Sequence, residues 1–179
     1  MITFATMLCS LVLLAAQEPP PPVPPPPTTQ VPLDANLRST LDLLGIVHTE
    51  NPTNGVFSVN WNYTNTKRHQ RVYVASFTEP LNPADPASPL VRRIWSHGHN
   101  FPTDAPVTLE QLTSLMTRSN TRRFGSWELV KESNGTMTAV YCLKVPGELS
   151  PTSLKWCLTV AGWEADEVDK ELSDGQDLM

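Results

Sequence analysis

The sequence predicts an α+β domain in which helices pack on a mainly antiparallel sheet. Helical periodicity alternates along the chain with segments of strict apolar alternation, and short turn signals join successive strands. The predicted order is α-βββ(β)-α-ββ-α. The chain has 179 residues, 40% of them apolar, which is enough for one domain with a sizeable core. A net charge of −5 argues against a nucleic-acid partner, and no phosphate-binding glycine pattern is present.

Residues 1–17 are predicted to be a signal peptide. Residues 2–16 are almost wholly apolar and carry no charge, and small residues end the run just before Gln17. A buried N-terminal helix is the alternative, but it would have to rejoin the domain across a proline-rich stretch. The sequence therefore predicts export to the periplasm, the cell envelope or the extracellular space. No stable membrane insertion is expected after cleavage, because no apolar run reaches the ~18–20 residues that span a bilayer.

Residues 18–32 are predicted to be a proline-rich linker. Residues 19–27 read PPPPVPPPP, and proline lacks the amide N–H that helices and inner strands use. Such a run favours the polyproline II conformation, which rises about 3.1 Å per residue. We interpret the segment as a stiff spacer, with docking to a proline-recognising module as the alternative.

The domain is predicted to span residues 33–172 and to begin with a helix. Asp34 is a good N-cap, and Gly45 stands where a left-handed residue commonly ends a helix. The apolar stripe of this helix consists of Leu33, Leu37, Leu41 and Leu44.

The period then changes to two, which predicts a meander. Residues 46–50, 56–63 and 71–77 are the predicted strands, and in the second of them the alternating residues Phe57, Val59, Trp61 and Tyr63 share one face. Residues 79–89 contain four prolines and are predicted to form an exposed loop. Residues 90–95 are predicted to form a further strand at the sheet edge.

The second half is predicted to be a helix, a hairpin and a last helix. Thr108 and Gln111 have capping-box spacing, and the apolar stripe behind them is Leu109, Leu112, Leu115 and Met116. Strands at 124–131 and 136–145 flank Asn134–Gly135, a signal for a two-residue hairpin turn. The last helix begins at Ser150, and its inward stripe is Leu154, Cys157, Leu158, Ala161, Ala165 and Val168.

Charged residues cluster along the chain. Residues 164–179 contain seven acids and one lysine. We interpret them as a solvated helix end that continues into an acidic disordered tail, residues 173–179; an acidic docking segment is the alternative. The basic clusters at 67–71, 92–93 and 118–123 are interpreted as solvated, with a patch for an acidic peptide or a membrane surface as the alternative.

A family resemblance covers about residues 33–172 and is specific from Leu112 onward, while the first helix and the meander fit it in order. The residues that carry it are Leu112, Leu115, Asn120, Phe124-Gly125, Trp127-Glu128-Leu129, Val145-Pro146, Leu149-Ser150-Pro151, Leu154 and Ala165-Asp166-Glu167. In these residues the chain resembles the YbjN-like family, whose fold is shared with type III secretion chaperones. The resemblance implies a compact domain that tends to dimerise and that binds protein or peptide partners without catalysis. It implies no catalytic residue and no cofactor.

Two apolar surfaces are predicted to be left for a partner. Trp156 and Trp163 lie seven residues apart, on a stripe that differs from the inward one. The second surface is a sheet face with Val72, Val74 and Val140, which is too apolar for free exposure. The predicted function is non-catalytic binding of a protein, a peptide or a second copy of the chain. Packing of the tryptophans beneath the 79–89 loop is the alternative.

His97 and His99 point to a different function. Two residues apart on a regular strand, they would share a face and form a usable pair of metal ligands. This alternative is an envelope metal-binding protein or a hydrolase, although the glycine between the histidines disfavours a regular strand. Surface loop histidines are the simpler interpretation, and no serine lies in a nucleophile-elbow motif.

Cys142 and Cys157 are predicted to be separate thiols. A disulfide would close a loop of about 15 residues. Cys142, however, is out of phase with the apolar face of its strand, whereas Cys157 lies on the inward stripe of the last helix. The two sulfurs would then lie on opposite sides of the sheet, beyond bonding distance.

Overall fold

The structure, a computed structural model, describes residues 33–63, 68–85 and 87–173. Over these residues the fold is α+β, with three helices and a mainly antiparallel sheet, as the sequence predicts. The predicted signal peptide (1–17) and linker (18–32) lie outside the described residues, as does the predicted tail beyond Ser173.

The elements follow the predicted order, with the bracketed strand present and one short strand added. The helices are α1 (Ala35–Leu43), α2 (Leu109–Thr121) and α3 (Pro151–Leu172). The strands are β1 (His48–Asn51), β2 (Val56–Asn62), β3 (His69–Ala75), β4 (Glu79–Pro80), β5 (Leu90–Phe101), β6 (Ser126–Lys131) and β7 (Met137–Pro146). Across the sheet the order is β1-β2-β3-β5-β7-β6, and β4 pairs with β5.

The three predicted helix starts are confirmed by their caps. The Asp34 side chain accepts the amide hydrogens of Asn36 and Leu37, and Thr108 with Gln111 closes a capping box. The Ser150 side chain accepts the amide of Ser153 at the start of α3. These caps satisfy amides that otherwise lack partners in the first turn of a helix.

The helices cover one face of the sheet, called here the helix face. The main core joins α1 and α3 to β2, β3, β5 and β7, and a smaller one joins α2 to β7 and α3. The predicted inward stripe of α3 is buried throughout. The opposite side of the sheet, the open face, carries Tyr73, Trp95, His97, Val140 and Cys142 along its middle.

The prediction of an exposed apolar sheet face is wrong, because the valines of β3 point to the helix face and not to the open face. Val72 pairs with Val59, and Val74 pairs with Phe57, so both valines belong to the helix face and are fully buried in the core. Val140 does face the open side, but it lies between its cross-strand neighbours His97 and Glu128 and is buried. None of the three valines presents a surface to a partner.

The strand predicted at the sheet edge is central. β5 extends to Phe101 and lies between β3 and β7. The register shifts between His97 and His99, so Gly98 forms a β-bulge inside a continuous strand. The 79–89 segment is also not wholly loop, because Glu79–Pro80 pairs with β5.

The hairpin turn is longer than predicted. The amide of Glu132 donates to the Thr136 carbonyl, which leaves three residues in the loop. Gly135 has φ 88°, and its amide donates to the Glu132 carbonyl. A three-residue loop with a left-handed glycine in its last position is a common hairpin geometry.

The stripe predicted on α2 is only partly used. Leu115 is buried, but Leu109 and Met116 are exposed. The main neighbour of α2 is the edge strand β6, so only a narrow part of the helix meets the core. In the part of the chain that the structure describes, no helix has both the length and the apolar character needed to cross a bilayer.

Gly98→Ala is expected to destabilise the domain by about 1–3 kcal/mol, the usual cost of overpacking. A Cβ at Gly98 would lie 2.6 Å from the Trp127 ring, which packs over the bulge from β6. Chemical denaturation of Gly98→Ala, Trp127→Leu and the double variant measures the effect. The double variant should lose less than the sum of the single losses, because a smaller side chain at 127 leaves room for the Cβ. Additive losses would contradict the contact.

Candidate functional site

Three partly exposed aromatic side chains lie on one flank of α3. Trp156 is 49% exposed, Trp163 is 45% exposed and Phe124, just before β6, is 58% exposed. The rings of Phe124 and Trp156 meet edge to face, with centroids 5.3 Å apart. The sequence prediction found the two tryptophans but missed Phe124, which joins them.

Two open depressions meet at Phe124 and Trp156. One, of about 340 Å³, continues to Pro146 and Leu149 near the start of α3. The other, of about 400 Å³, continues past Val160 to Trp163. We call the two together the tryptophan groove, lined by Phe124, Val145, Pro146, Leu149, Trp156, Val160 and Trp163.

The groove follows the axis of α3. Trp156 and Trp163 are seven residues apart, so they stand about 10.5 Å apart along the helix at 1.5 Å per residue. The core stripe of α3, which includes Leu158 and Ala161, faces the sheet and leaves the tryptophans on its flank. The groove is therefore an elongated apolar slot with an aromatic ring at each of two positions.

An ion pair between Arg122 and Glu164 lies at the Trp163 end of the groove. The Arg122 guanidinium lies 5.6 Å from the Trp163 ring centroid, and its Nε is 2.8 Å from the buried Glu164 carboxylate. Burial raises the pKa of Glu164, and the neighbouring Arg122 and Arg118 offset this only in part. Arg123 is exposed on the rim and faces the same depression.

A buried tyrosine anchors the Phe124 side of the groove. The Tyr141 hydroxyl donates to the Phe124 carbonyl. Burial raises the pKa of Tyr141 to about 12, so the phenol stays protonated and keeps its donor. This bond ties the segment before β6 to the centre of the sheet and fixes the exposed Phe124 ring beside α3.

Three of the α3 acids predicted to be solvated, Glu164, Asp166 and Asp169, are buried, which corrects the prediction for them, whereas Glu171 is exposed. Asp166 and Asp169 lie close to Arg68, with N–O distances of 2.7 and 2.9 Å, and Glu164 lies against Arg122. All three carboxylates are buried. Two of the basic residues predicted to be solvated are their partners: Arg68, next to the start of β3, and Arg122, next to the end of α2.

His97 and His99 do not form a metal pair. The bulge at Gly98 turns His97 to the open face, 5.2 Å from the Tyr73 ring, and His99 to the helix face. The Nδ1 atom of His99 is 3.6 Å from Asp169 on α3. Within residues 33–63, 68–85 and 87–173, no group of three or more potential metal ligands is found.

The open face carries a second, more polar surface. Tyr73 and Trp95 stack across strands at 5.5 Å, and Arg93 lies over Trp95. An open depression of about 400 Å³ runs from these rings to polar residues of β1 and β2. Partial burial lowers the pKa of His97, which favours the neutral form of its ring.

The two cysteines are separate, as the sequence predicts. Both thiols are free and buried. Cys142 pairs with Trp95 on the open face, whereas Cys157 packs in the core of the helix face. Burial raises the pKa of both thiols, which keeps them in the less reactive protonated form.

Of the five residues predicted to contact a partner, two come together at an exposed surface. Trp156 and Trp163 share the tryptophan groove, whereas Val72, Val74 and Val140 are buried. Phe124 completes the groove, and its place beside α3 depends on the bond from Tyr141. No protein-family model, curated protein or solved structure matches the chain.

Proposed function

We propose that this chain is an exported, non-catalytic binding module that holds a protein or peptide segment in the tryptophan groove. The observation that carries the proposal is the cluster of three half-exposed aromatic rings on one flank of α3. Isolated apolar side chains are ordinary on protein surfaces, but contiguous aromatic clusters mark interaction sites. Covering each tryptophan fully would contribute roughly 1.5–3 kcal/mol from buried apolar area.

The proposed family is YbjN-like, with a fold related to that of type III secretion chaperones. Several residues of the resemblance have roles in folding. Leu115 and Leu154 are buried, Trp127 packs on Gly98, and Ser150 caps α3. Phe124 and Leu149, also part of the resemblance, line the groove. These placements support a relation in which the same residues build the domain and its binding surface.

Export to the periplasm, the envelope or the extracellular space is part of the proposal. It is supported by the apolar residues 2–16 and the proline-rich segment behind them. Such a module binds by shape and apolar contact, so it needs no cofactor. The ligand class that fits the slot is an extended peptide with bulky apolar residues about 10 Å apart.

Combining Trp156→Ala with Trp163→Ala is expected to reduce peptide binding at least tenfold and to leave the domain folded. Each indole is about half exposed, so its removal changes the free energy of unfolding only a little. The contacts that the indoles make with a bound peptide are lost entirely, and each 1.4 kcal/mol of lost binding free energy raises the Kd about tenfold. Peptides selected from a random display library on the native chain, with counter-selection on the double variant, supply ligands of defined sequence. Calorimetry then gives their Kd values.

Trp95→Ala is the matched control, because Trp95 lies on the open face and lines no part of the groove. It should leave the Kd unchanged. Two results would overturn the proposal: selected peptides that bind the double variant as tightly as the native chain, or loss of the folded circular-dichroism spectrum in the double variant. Light scattering on the same samples reports self-association, and a dimer lost in the double variant would make a second copy the partner.

A further inference from the structure

We propose that the occupant of the tryptophan groove is this chain's own proline-rich segment, residues 19–27, docked in cis. The inference rests on the proposed function of the groove and names its resident ligand. A competing partner would then have to displace residues 19–27, called here the strap, before it could bind.

The first described residues lie next to the groove. Asp34, Arg92, Gly147 and Leu149 line one depression at the start of α1. Leu149 also lines the groove, together with Phe124 and Trp156. The described part of the chain therefore begins, at Leu33 and Asp34, beside the Leu149 end of the groove.

The connecting residues are long enough to reach it. Residues 28–32 separate Pro27 from Leu33. Six extended steps of 3.3–3.6 Å cover about 20–22 Å. Leu149 adjoins the start of α3 at Pro151, and Trp156 is five residues further, about 7.5 Å along the axis. This connection is more than twice as long as the stretch of α3 between Pro151 and Trp156, so the proline run can lie along α3 from Trp156 towards Trp163.

The repeat of the proline run matches the spacing of the indoles. A polyproline II helix has three residues per turn and rises about 9.3 Å per turn. The two indoles stand about 10.5 Å apart along α3. Prolines one turn apart can therefore pack on Trp156 and Trp163, while nine residues span about 28 Å and cover both. Aromatic-lined grooves bind such segments because the polyproline II conformation is formed before docking and loses little entropy.

The tether makes weak affinity sufficient. A short flexible connection gives an effective concentration on the order of 1 mM. A groove that binds the free peptide with a Kd of about 1 mM is then half occupied by its own strap. Added peptide must compete with the strap, so its apparent Kd rises at least twofold at that occupancy.

The test compares residues 18–179 with a variant in which 19–27 is replaced by nine alternating Gly and Ser residues. Both chains carry ¹⁵N-labelled tryptophan, and Trp→Phe variants assign the indole N–H signals. We expect the Trp156 and Trp163 signals to differ between the two chains and the Trp95 signal to coincide. Coincident signals for Trp156 and Trp163 overturn the proposal, and so does a difference that disappears on dilution, which would place the strap on a second copy.

A synthetic peptide with the sequence of residues 19–27 gives the second measurement. We expect it to bind the Gly-Ser variant, to bind the native chain at least twofold more weakly, and to lose binding when Trp156 and Trp163 are both alanine. If this peptide fails to bind while library-selected peptides still bind, the strap is wrong and the proposed function stands. If neither binds, both fail.

Discussion

Replacing Arg68 by methionine is expected to lower the free energy of unfolding by about 3–5 kcal/mol. The guanidinium lies 2.7 Å from Asp166 and 2.9 Å from Asp169. The Asp169 side chain is 1% exposed and that of Asp166 is 11% exposed. Both carboxylates would therefore lose the guanidinium that faces them while remaining largely out of water. Methionine keeps most of the apolar length of the arginine stem, so the lost charge dominates the result.

Urea denaturation followed by tryptophan fluorescence measures this loss. Arg38→Met is the matched control, because Arg38 pairs with Glu50 at the surface and little change is expected there. Adding Asp166→Asn and Asp169→Asn to Arg68→Met should recover part of the loss, since the stranded charges are then absent. Equal effects of Arg68→Met and Arg38→Met would contradict the buried cluster.

The Arg68 cluster also bears on the groove. Asp166 and Asp169 follow Trp163 on the same helix, within two turns. Arg68 therefore holds the half of α3 that carries one of the two indoles. Acidic residues near the C-terminus of a helix interact unfavourably with the helix dipole, which favours positive charge there. The guanidinium of Arg68 offsets this unfavourable interaction for Asp166 and Asp169.

Local patterns predicted most of the fold, and long-range contacts account for the errors. Helix caps depend on residues within four positions of one another, and they were correctly predicted at Asp34, Thr108 and Ser150. The buried face of β3 was predicted wrongly. Tyr73 and Ala75 alternate with Val72 and Val74, so both faces of this strand are apolar and the sequence does not distinguish them. Only pairing with Phe57 and Val59 decides which face is buried.

The candidate site shows the same division. Trp156 and Trp163 could be predicted because their position on α3 is out of phase with the core stripe. Phe124 could not, because its place beside α3 depends on a hydrogen bond from Tyr141, 17 residues away. The acids of α3 were assigned to solvent because Arg68 lies 98 residues from Asp166 in sequence, and composition carries no sign of that pairing.

Replacing Arg92 by methionine is expected to have a comparable effect, a loss of about 3–5 kcal/mol. Arg92 is 5% exposed, and it donates to the carbonyls of Ala75 and Ser76 at 2.6 and 2.8 Å and to that of Gly147 at 3.2 Å. It also pairs with the Asp34 carboxylate that caps α1. One side chain thus joins the end of β3, the connection from β7 to α3 and the start of α1.

The Asp34 carboxylate adds a pH dependence to this result. Burial alone would raise its pKa, but the Leu37 amide and Arg92 outweigh burial and hold the pKa below the usual 3.8. A lowered pKa means that the ionised form stabilises the fold above that value and that this stability is lost as the pH falls through the folded pKa. Arg92→Met removes part of that contribution, so the stability difference between variant and native chain should shrink below pH 3.8.

Arg93→Met separates this role from a general effect of losing an arginine. Arg93 is the next residue, but it is partly exposed on the open face, 3.1 Å from Glu128, and its loss should cost less than about 1 kcal/mol. Stability curves of the two variants between pH 3 and pH 8 decide the matter, and equal losses would contradict the assignment. Because Arg92 pairs with Asp34, it also holds the first described residues beside Leu149. A destabilised but folded Arg92→Met chain should therefore bind the free residue 19–27 peptide more tightly than the native chain, since its own strap is held less well.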